Sequence, residues 1–165
     1  MNSITSTNIK KRKNPNDIFI TPLDLAKKQI DMIDYKQDDL WLDPFKNSGN
    51  FYNQFPTDKK EWCEILEGKD FLEYDNDVDI ICSNPPYSWI DDVLKKSVEL
   101  NPRVISYLIG MGNLTTRRIE FMENNGYGLT KIHMCKVFKW YGMSFIVQFE
   151  KGENHIISYD RKVWR

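Results

Sequence analysis

The segment Asn84-Pro85-Pro86-Tyr87 constrains the fold of this chain more than any other part of the sequence. It directly follows residues 78–82, a short apolar run that predicts a buried strand. Two successive prolines cannot donate hydrogen bonds to a sheet, so the strand must end there. A residue before proline is pushed toward an extended backbone. Asn84 is therefore expected at the carboxyl end of a strand, where open α/β sheets bind their ligands.

The same segment carries groups that suit a flat, amino-bearing ligand. The amide oxygen of Asn84 and the carbonyl of Pro85 can accept both hydrogens of an exocyclic NH2 group. The ring of Tyr87 can stack on a planar substrate. The alternative is a turn that only terminates the strand, and the rest of the sequence has to decide between the two.

Composition and charge limit the classes of protein to which this chain can belong. Its 165 residues are 41% hydrophobic and 13% aromatic, which is enough for one folded α/β or α+β domain with a core. The formal net charge is -1, so any contact with nucleic acid must come from a local patch and not from overall attraction. The sequence has no run of about 18 apolar residues and no signal-peptide core, so we expect no membrane partner and an intracellular protein.

The cysteines and histidines follow no disulfide or metal-site pattern. Cys63, Cys82 and Cys135 are far apart and show no Cys-x-x-Cys spacing, which is typical of buried thiols in a reducing compartment. His133 and His155 add no metal-ligand spacing. We therefore expect no metal in this protein.

The N-terminal segment differs in composition from the rest of the chain. Residues 1–16 are polar and basic, with a Lys-Lys-Arg-Lys run, and cannot bury enough apolar surface to become ordered. They predict a flexible basic arm that either improves solubility or contacts phosphates. Residues 17–165 contain no internal repeat and no linker, so they predict a single domain.

Strand and helix patterns alternate through residues 17–149. Thr21 is the predicted N-cap of the first helix, Pro22 its first residue, and the helix runs to about Tyr35. Ser88 is the predicted cap of the second helix. The predicted strands are residues 40–42, 61–65, 78–82, 104–111, 129–140 and 143–149, and the later helices are residues 89–100 and a segment from Thr115 or Thr116 to about residue 124. This order predicts an α/β fold whose mostly parallel sheet ends in an antiparallel hairpin.

With Asp43-Pro44-Phe45 upstream of the Asn-Pro-Pro-Tyr segment, the chain resembles S-adenosylmethionine (SAM)-dependent amino-methyltransferases. It most resembles the DNA adenine-N6 methyltransferases in which the cofactor motif precedes the catalytic one. The resemblance covers about residues 17 to 149. It implies a Rossmann-like class I methyltransferase fold, SAM as the cofactor, DNA as the partner, and a phage, viral or restriction-modification setting.

The resemblance also assigns cofactor contacts to particular residues. Asp43 matches the acidic residue whose carboxylate pairs with the amino group of the cofactor through a charge-assisted bond. The other implied contacts are Phe19, Thr21 and Pro22 at the methionine end, Pro44, Phe45 and Gly49 in the loop after Asp43, Glu64 at the ribose hydroxyls, Asp70 at the adenine amino group, Phe71 against the adenine ring, and Asn84 itself.

The implied catalytic set is Asn84, Pro85, Pro86 and Tyr87. Asn84 and the Pro85 carbonyl would accept the amino hydrogens of adenine while charge develops on its nitrogen, and their value lies in being positioned beforehand. In duplex DNA the base would have to be flipped out, with Tyr87 stacked beneath it. No covalent enzyme intermediate is needed.

The sequence departs from the family pattern in the loop after Asp43. The family carries Gly-x-Gly there, whereas this chain has Asn47 and only Gly49. Asn tolerates left-handed backbone better than most residues, so the loop can keep its shape, although weaker cofactor binding is an expectation too. The segment of residues 49–64 is also short for a crossover connection, which predicts a shortened first crossover helix.

Other activities fit the same motifs. Asn-Pro-Pro-aromatic segments also occur in RNA adenine and protein glutamine methyltransferases, and the altered glycine loop favours a non-catalytic methyltransferase-fold subunit. The small size predicts low sequence specificity, a specificity or partner subunit, or a single-stranded substrate. Five cations can form a phosphate-contacting rim or simply a solvated surface: Arg117, Arg118, Lys131, Lys136 and Lys139.

Overall fold

The computed structural model describes residues 19–137 and 142–164, and the described part contains one six-stranded mixed sheet. The strands are β1 (Trp41–Asp43), β2 (Lys60–Trp62), β3 (Ile80–Ser83), β4 (Val104–Gly110), β5 (Tyr127–Cys135) and β6 (Ser144–Lys151). The predicted basic arm lies outside the described residues, as do residues 138–141, which include Lys139 and the end of the predicted strand 129–140.

The sheet order explains where a ligand would bind. The strands lie in the order β2-β1-β3-β4-β6-β5, with β1 parallel to β2 and β3, β3 parallel to β4, and β6 antiparallel to β4 and β5. This confirms the predicted fold, a mostly parallel sheet with an antiparallel C-terminal pair. The chain leaves β1 toward β2 and then returns to β3 on the other side of β1. The carboxyl ends of β1 and β3 therefore form the switch point at which open α/β sheets bind ligands.

Alternating residues of the central strands build a core on each face of the sheet. Trp41 and Ile80 are paired in register and belong to one buried cluster, whereas their neighbours Leu42 and Ile81 belong to the other. Side chains of a strand point alternately to its two faces. Because all four are fully buried, β1 and β3 are covered on both faces, which is typical of parallel strands.

Within the described residues, three α-helices cover the sheet: α1 (Leu23–Asp31), α2 (Ile90–Glu99) and α3 (Thr116–Asn124). The predicted cap of α3 is confirmed, since the Thr115 side chain accepts a hydrogen bond from the Arg118 N–H. The predicted cap of α1 is wrong by one residue, because Pro22 is the N-cap and its carbonyl accepts from Ala26 N. The predicted cap of α2 is wrong as well. A 3-10 turn spans Tyr87–Trp89, in which Trp89 N donates to the Pro86 carbonyl, and Trp89 is the N-cap of α2.

Helix α1 also ends earlier than the sequence predicts. It stops at Asp31 and not at about Tyr35, because Ile33 folds back onto the Ile30 carbonyl and packs in the core. Arg103 then donates to the Asp34 carbonyl and ties the chain to the start of β4. This places the next segment at the amino end of β1.

The connection from β1 to β2 is short, as the sequence predicts. Between these two strands the described chain forms a 3-10 turn at Tyr52–Gln54 in place of an α-helix. Strand β2 itself lies earlier than the predicted residues 61–65. It ends at Trp62 because Glu64 leaves the strand to cap a second 3-10 turn, where its side chain accepts from Leu66 N.

None of the helices within residues 19–137 and 142–164 has the length and apolar character needed to cross a membrane.

Candidate active site

Asp43 lies at the carboxyl end of β1 and is completely buried. Its Oδ1 accepts a 2.6 Å hydrogen bond from Ser83 Oγ and a 3.2 Å bond from Phe45 N. Its Oδ2 is also buried and accepts no hydrogen bond from the described residues. Burial raises the pKa of Asp43 from its ordinary 3.8 to about 6, although the bonds from Ser83 and Phe45 and the nearby backbone N–H of Tyr52 oppose the shift. An unpaired carboxylate oxygen at this position suits a cationic amino group.

The loop after Asp43 takes the shape that its altered glycine pattern predicts. Asn47 and Gly49 both have positive φ, at 46° and 83°, so Asn47 adopts the left-handed conformation in place of a glycine. A side chain at Gly49 would meet the Asn53 amide at 2.7 Å. Pro44 and Phe45 are buried at the start of the loop. Asn47 therefore adopts the left-handed backbone that a glycine at this position would adopt.

Glu64 and Asp70, two predicted contacts of the cofactor's adenosine, are both buried, and Glu64 bonds to this loop. The Glu64 carboxylate accepts hydrogen bonds from Asn47 N at 3.0 Å and Leu66 N at 3.2 Å, so it holds the loop after β1. The Asp70 side chain accepts from Leu72 N at 3.0 Å and caps a 3-10 turn.

The two predicted aromatic contacts pack against each other. The Phe45 and Phe71 rings meet edge to face, with centroids 5.5 Å apart. Both side chains belong to the core cluster on the α2 and α3 face of the sheet.

Asn84 follows β3, and a side-chain hydrogen bond orients its amide. Its Nδ2 donates to Thr21 Oγ1 at 3.2 Å. Its Oδ1 is buried and accepts no hydrogen bond from the described residues. An unpaired amide oxygen is an acceptor that an exocyclic amino group can satisfy.

Asn84 lines two small cavities, and Phe19, Ile20 and Thr21 line both of them. The first is completed by Tyr87, Leu108, Val137 and Ser144, and the second by Phe45, Phe51 and residues 46–48 and 50. Each cavity has a volume of about 10 Å³, which holds roughly one water molecule. A nucleoside therefore needs the covering segments to move.

The structure brings most of the predicted site residues together but separates a few. Asp43 and Asn84 are joined through Ser83, and Thr21 contacts Asn84. Pro22 is exposed at the start of α1, while Pro85 and Pro86 are buried directly after Asn84. Asp70 lies farther away and lines a separate surface pocket of about 310 Å³ beside Trp62 and Tyr74.

Three residues that sequence reasoning missed support this arrangement. Ser83 bonds to Asp43, and Asn50 Nδ2 donates to the Thr21 carbonyl at 2.7 Å. The fully buried Gln29 donates to the Ser83 and Ser106 carbonyls at 3.2 and 3.1 Å. The position of Ser83 immediately before Asn84 is the one sequence signal that would have suggested it.

The predicted cationic rim is mostly paired with acidic groups. Arg117 and Arg118 both donate to the Asp91 carboxylate, at 2.6 and 2.7 Å. Lys131 bonds to Asp34 at 2.8 Å. These three cations therefore form surface ion pairs, and the phosphate-contacting rim stays a prediction. Across the residues that the structure describes, no cluster of His, Cys, Asp and Glu could hold a metal ion.

Several solved methyltransferase structures share this fold. A precorrin-6y C5,15-methyltransferase from Geobacter metallireducens matches with a TM-score of 0.59 and 15% identity, over 80% of this chain and 90% of that one. A modification subunit of a putative type I restriction enzyme from Vibrio vulnificus matches with a TM-score of 0.57 and 14% identity, over 92% of this chain and 48% of that one. Magnesium protoporphyrin IX methyltransferase from Synechocystis with bound SAM matches with a TM-score of 0.56 and 10% identity, over 90% of this chain and 93% of that one. No protein-family model and no curated protein matches the sequence.

Proposed function

We propose that this chain transfers a methyl group from SAM to the exocyclic N6 of adenine in DNA. The observation that carries the proposal is the buried, unpaired Oδ1 of Asn84, which lies at the switch point of the sheet one residue after the Ser83–Asp43 bond. The Vibrio vulnificus neighbour is a modification subunit of a putative restriction enzyme, and the Synechocystis neighbour was crystallised with SAM. Both facts support the proposal.

The described residues fit the proposed cofactor. The unpaired Oδ2 of Asp43 would accept the ammonium group of its methionine part, and the left-handed loop at Asn47 and Gly49 would pass beside it. Glu64 would bind the ribose, and Phe45 and Phe71 would pack near the adenine; Asp70 belongs to this set although it lies farther off. When bound, SAM would supply a sulfonium methyl group: the S–C bond would break as the substrate nitrogen forms the new N–C bond, S-adenosylhomocysteine would be the leaving group, and the displaced N–H proton would pass to water.

The catalytic segment would act by positioning the amino group. Asn84 Oδ1 and the Pro85 carbonyl would accept its two hydrogens, and this draws electron density onto a nitrogen whose lone pair is otherwise delocalised into the ring. Tyr87 lies half-buried beside the cavity next to Asn84 and would stack on the base. Stacking returns roughly 1–3 kcal/mol per base, which offsets part of the cost of flipping.

Opening of the site is part of this proposal. The two cavities beside Asn84 are far smaller than the several hundred Å³ of a typical ligand pocket. Phe19 and Ile20 cover both cavities and precede α1, so a movement of these two residues would enlarge both at once. Thr21 would remain in place because α1 begins directly after Pro22.

Target recognition would come from outside the described fold. This chain spans 48% of the Vibrio vulnificus subunit that it matches. We propose that a specificity or partner subunit supplies sequence recognition, because three of the five candidate phosphate-binding cations are engaged in ion pairs.

The first experiment is isothermal titration of the purified chain with SAM, with Asp43→Ala as the control. We expect binding by the wild-type chain and a loss of at least about tenfold in the control, because a buried charge-assisted bond is removed. Methylation assays with labelled SAM would then compare adenine-containing DNA, the same sequence as RNA, and a glutamine-containing peptide. The absence of SAM binding by the wild-type chain would refute the proposal, and transfer to RNA or peptide alone would refute its substrate.

A further inference from the structure

Ser83 joins the two halves of the site. It is the last residue of β3, its Oγ donates to Asp43 Oδ1 at 2.6 Å, and both side chains are fully buried. Its own carbonyl accepts from Gln29 Nε2 at 3.2 Å, which fixes the backbone directly before Asn84. The hydroxyl that touches Asp43 is therefore rigidly connected to the residue that would hold the substrate.

The bond from Ser83 decides which oxygen of Asp43 can serve a ligand. Oδ1 already accepts from Ser83 and from Phe45 N, whereas Oδ2 accepts no hydrogen bond within the described part of the chain. Without the hydroxyl, the carboxylate could rotate and exchange its two oxygens. The geometry thus presents one defined acceptor at the carboxyl end of β1.

We propose that Ser83 is a positioning residue whose hydroxyl orients the Asp43 carboxylate toward the cofactor's amino group and links cofactor binding to the placement of Asn84. This inference rests on the proposed function, because it assumes that Asp43 binds the cofactor.

The charges around Asp43 make this role measurable through pH. Burial is the main cause that raises the pKa of Asp43 to about 6, the Ser83 bond lowers it, and the nearby Glu64 raises it. The other titratable groups that interact with Asp43 are Cys63, Cys82 and Tyr107, which stay neutral because burial raises the pKa of each. Removal of the Ser83 hydroxyl takes away a hydrogen bond that lowers the pKa of Asp43. The pKa-raising effect of burial then dominates further, and the pKa of Asp43 rises.

The test is titration with S-adenosylhomocysteine between pH 5 and 8 for the wild-type chain, Ser83→Ala and Ser83→Thr. We expect wild-type affinity to fall below about pH 6, as Asp43 becomes protonated. In Ser83→Ala the midpoint should rise by about one pH unit, so affinity near pH 6.5 should drop about threefold. Ser83→Thr keeps the hydroxyl and should restore the wild-type midpoint.

Ser97→Ala is the matched control. Ser97 is another fully buried serine whose hydroxyl is hydrogen-bonded, to Val93 O and to the Tyr107 hydroxyl, but it lies on α2. Its removal should reduce stability to a similar degree without moving the pH midpoint of binding. If Ser83→Ala does not fold, Ser83→Cys offers a weaker donor of similar volume and should shift the midpoint in the same direction.

The outcomes separate this inference from the proposed function. A wild-type chain that binds S-adenosylhomocysteine, together with a Ser83→Ala variant whose pH midpoint is unchanged, would overturn the role of Ser83 alone. A wild-type chain that does not bind would overturn both. Carbon-13 NMR titration of Asp43 in the free protein gives a second readout, in which Ser83→Ala but not Ser97→Ala should raise the pKa of Asp43.

Discussion

Asn84 donates a hydrogen bond from Nδ2 to Thr21 Oγ1 over 3.2 Å, and this bond leaves its Oδ1 buried without a hydrogen bond from the described residues. The contact fixes the orientation of the amide plane, because only one end of a carboxamide can donate. A buried acceptor without a donor costs about 1–3 kcal/mol, so a substrate that supplies the donor gains this energy. The amide of Asn84 is therefore oriented with an unpaired acceptor, which the proposed amino-bearing substrate would satisfy.

Replacement of Asn84 by alanine should abolish methyl transfer without abolishing cofactor binding. Loss of one preorganised hydrogen-bonding group in an active site lowers turnover by about 100-fold or more. SAM affinity should stay within about threefold of the wild type, since Asp43 keeps its bonds to Ser83 and Phe45. Single-turnover kinetics with labelled SAM would measure the first effect and calorimetry the second. Full activity of Asn84→Ala would contradict the assigned role.

Replacement of Thr21 by valine should lower turnover more than it lowers SAM affinity. Valine has nearly the same shape but cannot accept the bond from Asn84 Nδ2, so the amide is free to rotate. One lost hydrogen bond corresponds to about a tenfold effect. Thr21→Ser keeps the hydroxyl and is the matched control. A variant with normal turnover and weakened SAM binding would instead place Thr21 at the methionine end of the cofactor, where the family resemblance puts it.

The sequence predicts the scaffold of the site better than its internal contacts. The double proline after residues 78–82 correctly predicts that a strand ends just before Asn84, because proline cannot take part in the sheet ladder. The left-handed backbone of Asn47 follows from its place in a glycine-type loop. These predictions succeed because each depends on residues that are neighbours in the chain.

The contacts that orient the site could not be predicted in the same way. Ser83 and Asp43 are 40 positions apart, and Asn84 and Thr21 are 63 apart. Whether they meet depends on the register between β1 and β3 and on the seating of α1, both of which are set by the packed core. The pairing of Arg118 with Asp91 has the same origin, since it needs α2 and α3 side by side.

Substitutions at Asn47 should show that its backbone conformation matters more than its side chain. Glycine adopts a φ near 46° freely, so Asn47→Gly should change the free energy of unfolding by less than about 1 kcal/mol and SAM affinity by less than about threefold. A β-branched residue is strained there, so Asn47→Val should lose about 1–2 kcal/mol. Urea denaturation and calorimetry would measure both. An increase in affinity of tenfold or more in Asn47→Gly would show that the asparagine side chain obstructs the cofactor.

The buried carboxylate of Asp43 should give the stability of the free protein a distinctive pH dependence. Burial raises the pKa of Asp43 from 3.8 to about 6 in the folded state. The folded state therefore binds more protons than the unfolded state between these values, and the free energy of unfolding falls as the pH rises through them. A shift of this size corresponds to about 3 kcal/mol, lost between about pH 4 and pH 6 and absent at higher pH.

Comparison of the wild-type chain with Asp43→Asn isolates this contribution. The amide does not titrate, so Asp43→Asn should not lose unfolding free energy between pH 4 and 6. Asp34 and Asp91, whose pKa values are lowered by Lys131 and Arg118, make stability rise with pH in both proteins, so their contribution cancels in the comparison. Urea denaturation at half-unit intervals from pH 4 to 7.5 would give the difference. This difference in unfolding free energy should change by about 3 kcal/mol between about pH 4 and pH 7.5. Stability curves of the two proteins that run parallel over this range would contradict the prediction. The same variant should not bind SAM, because the position that destabilises the free protein is the one that would hold the cofactor's positive charge.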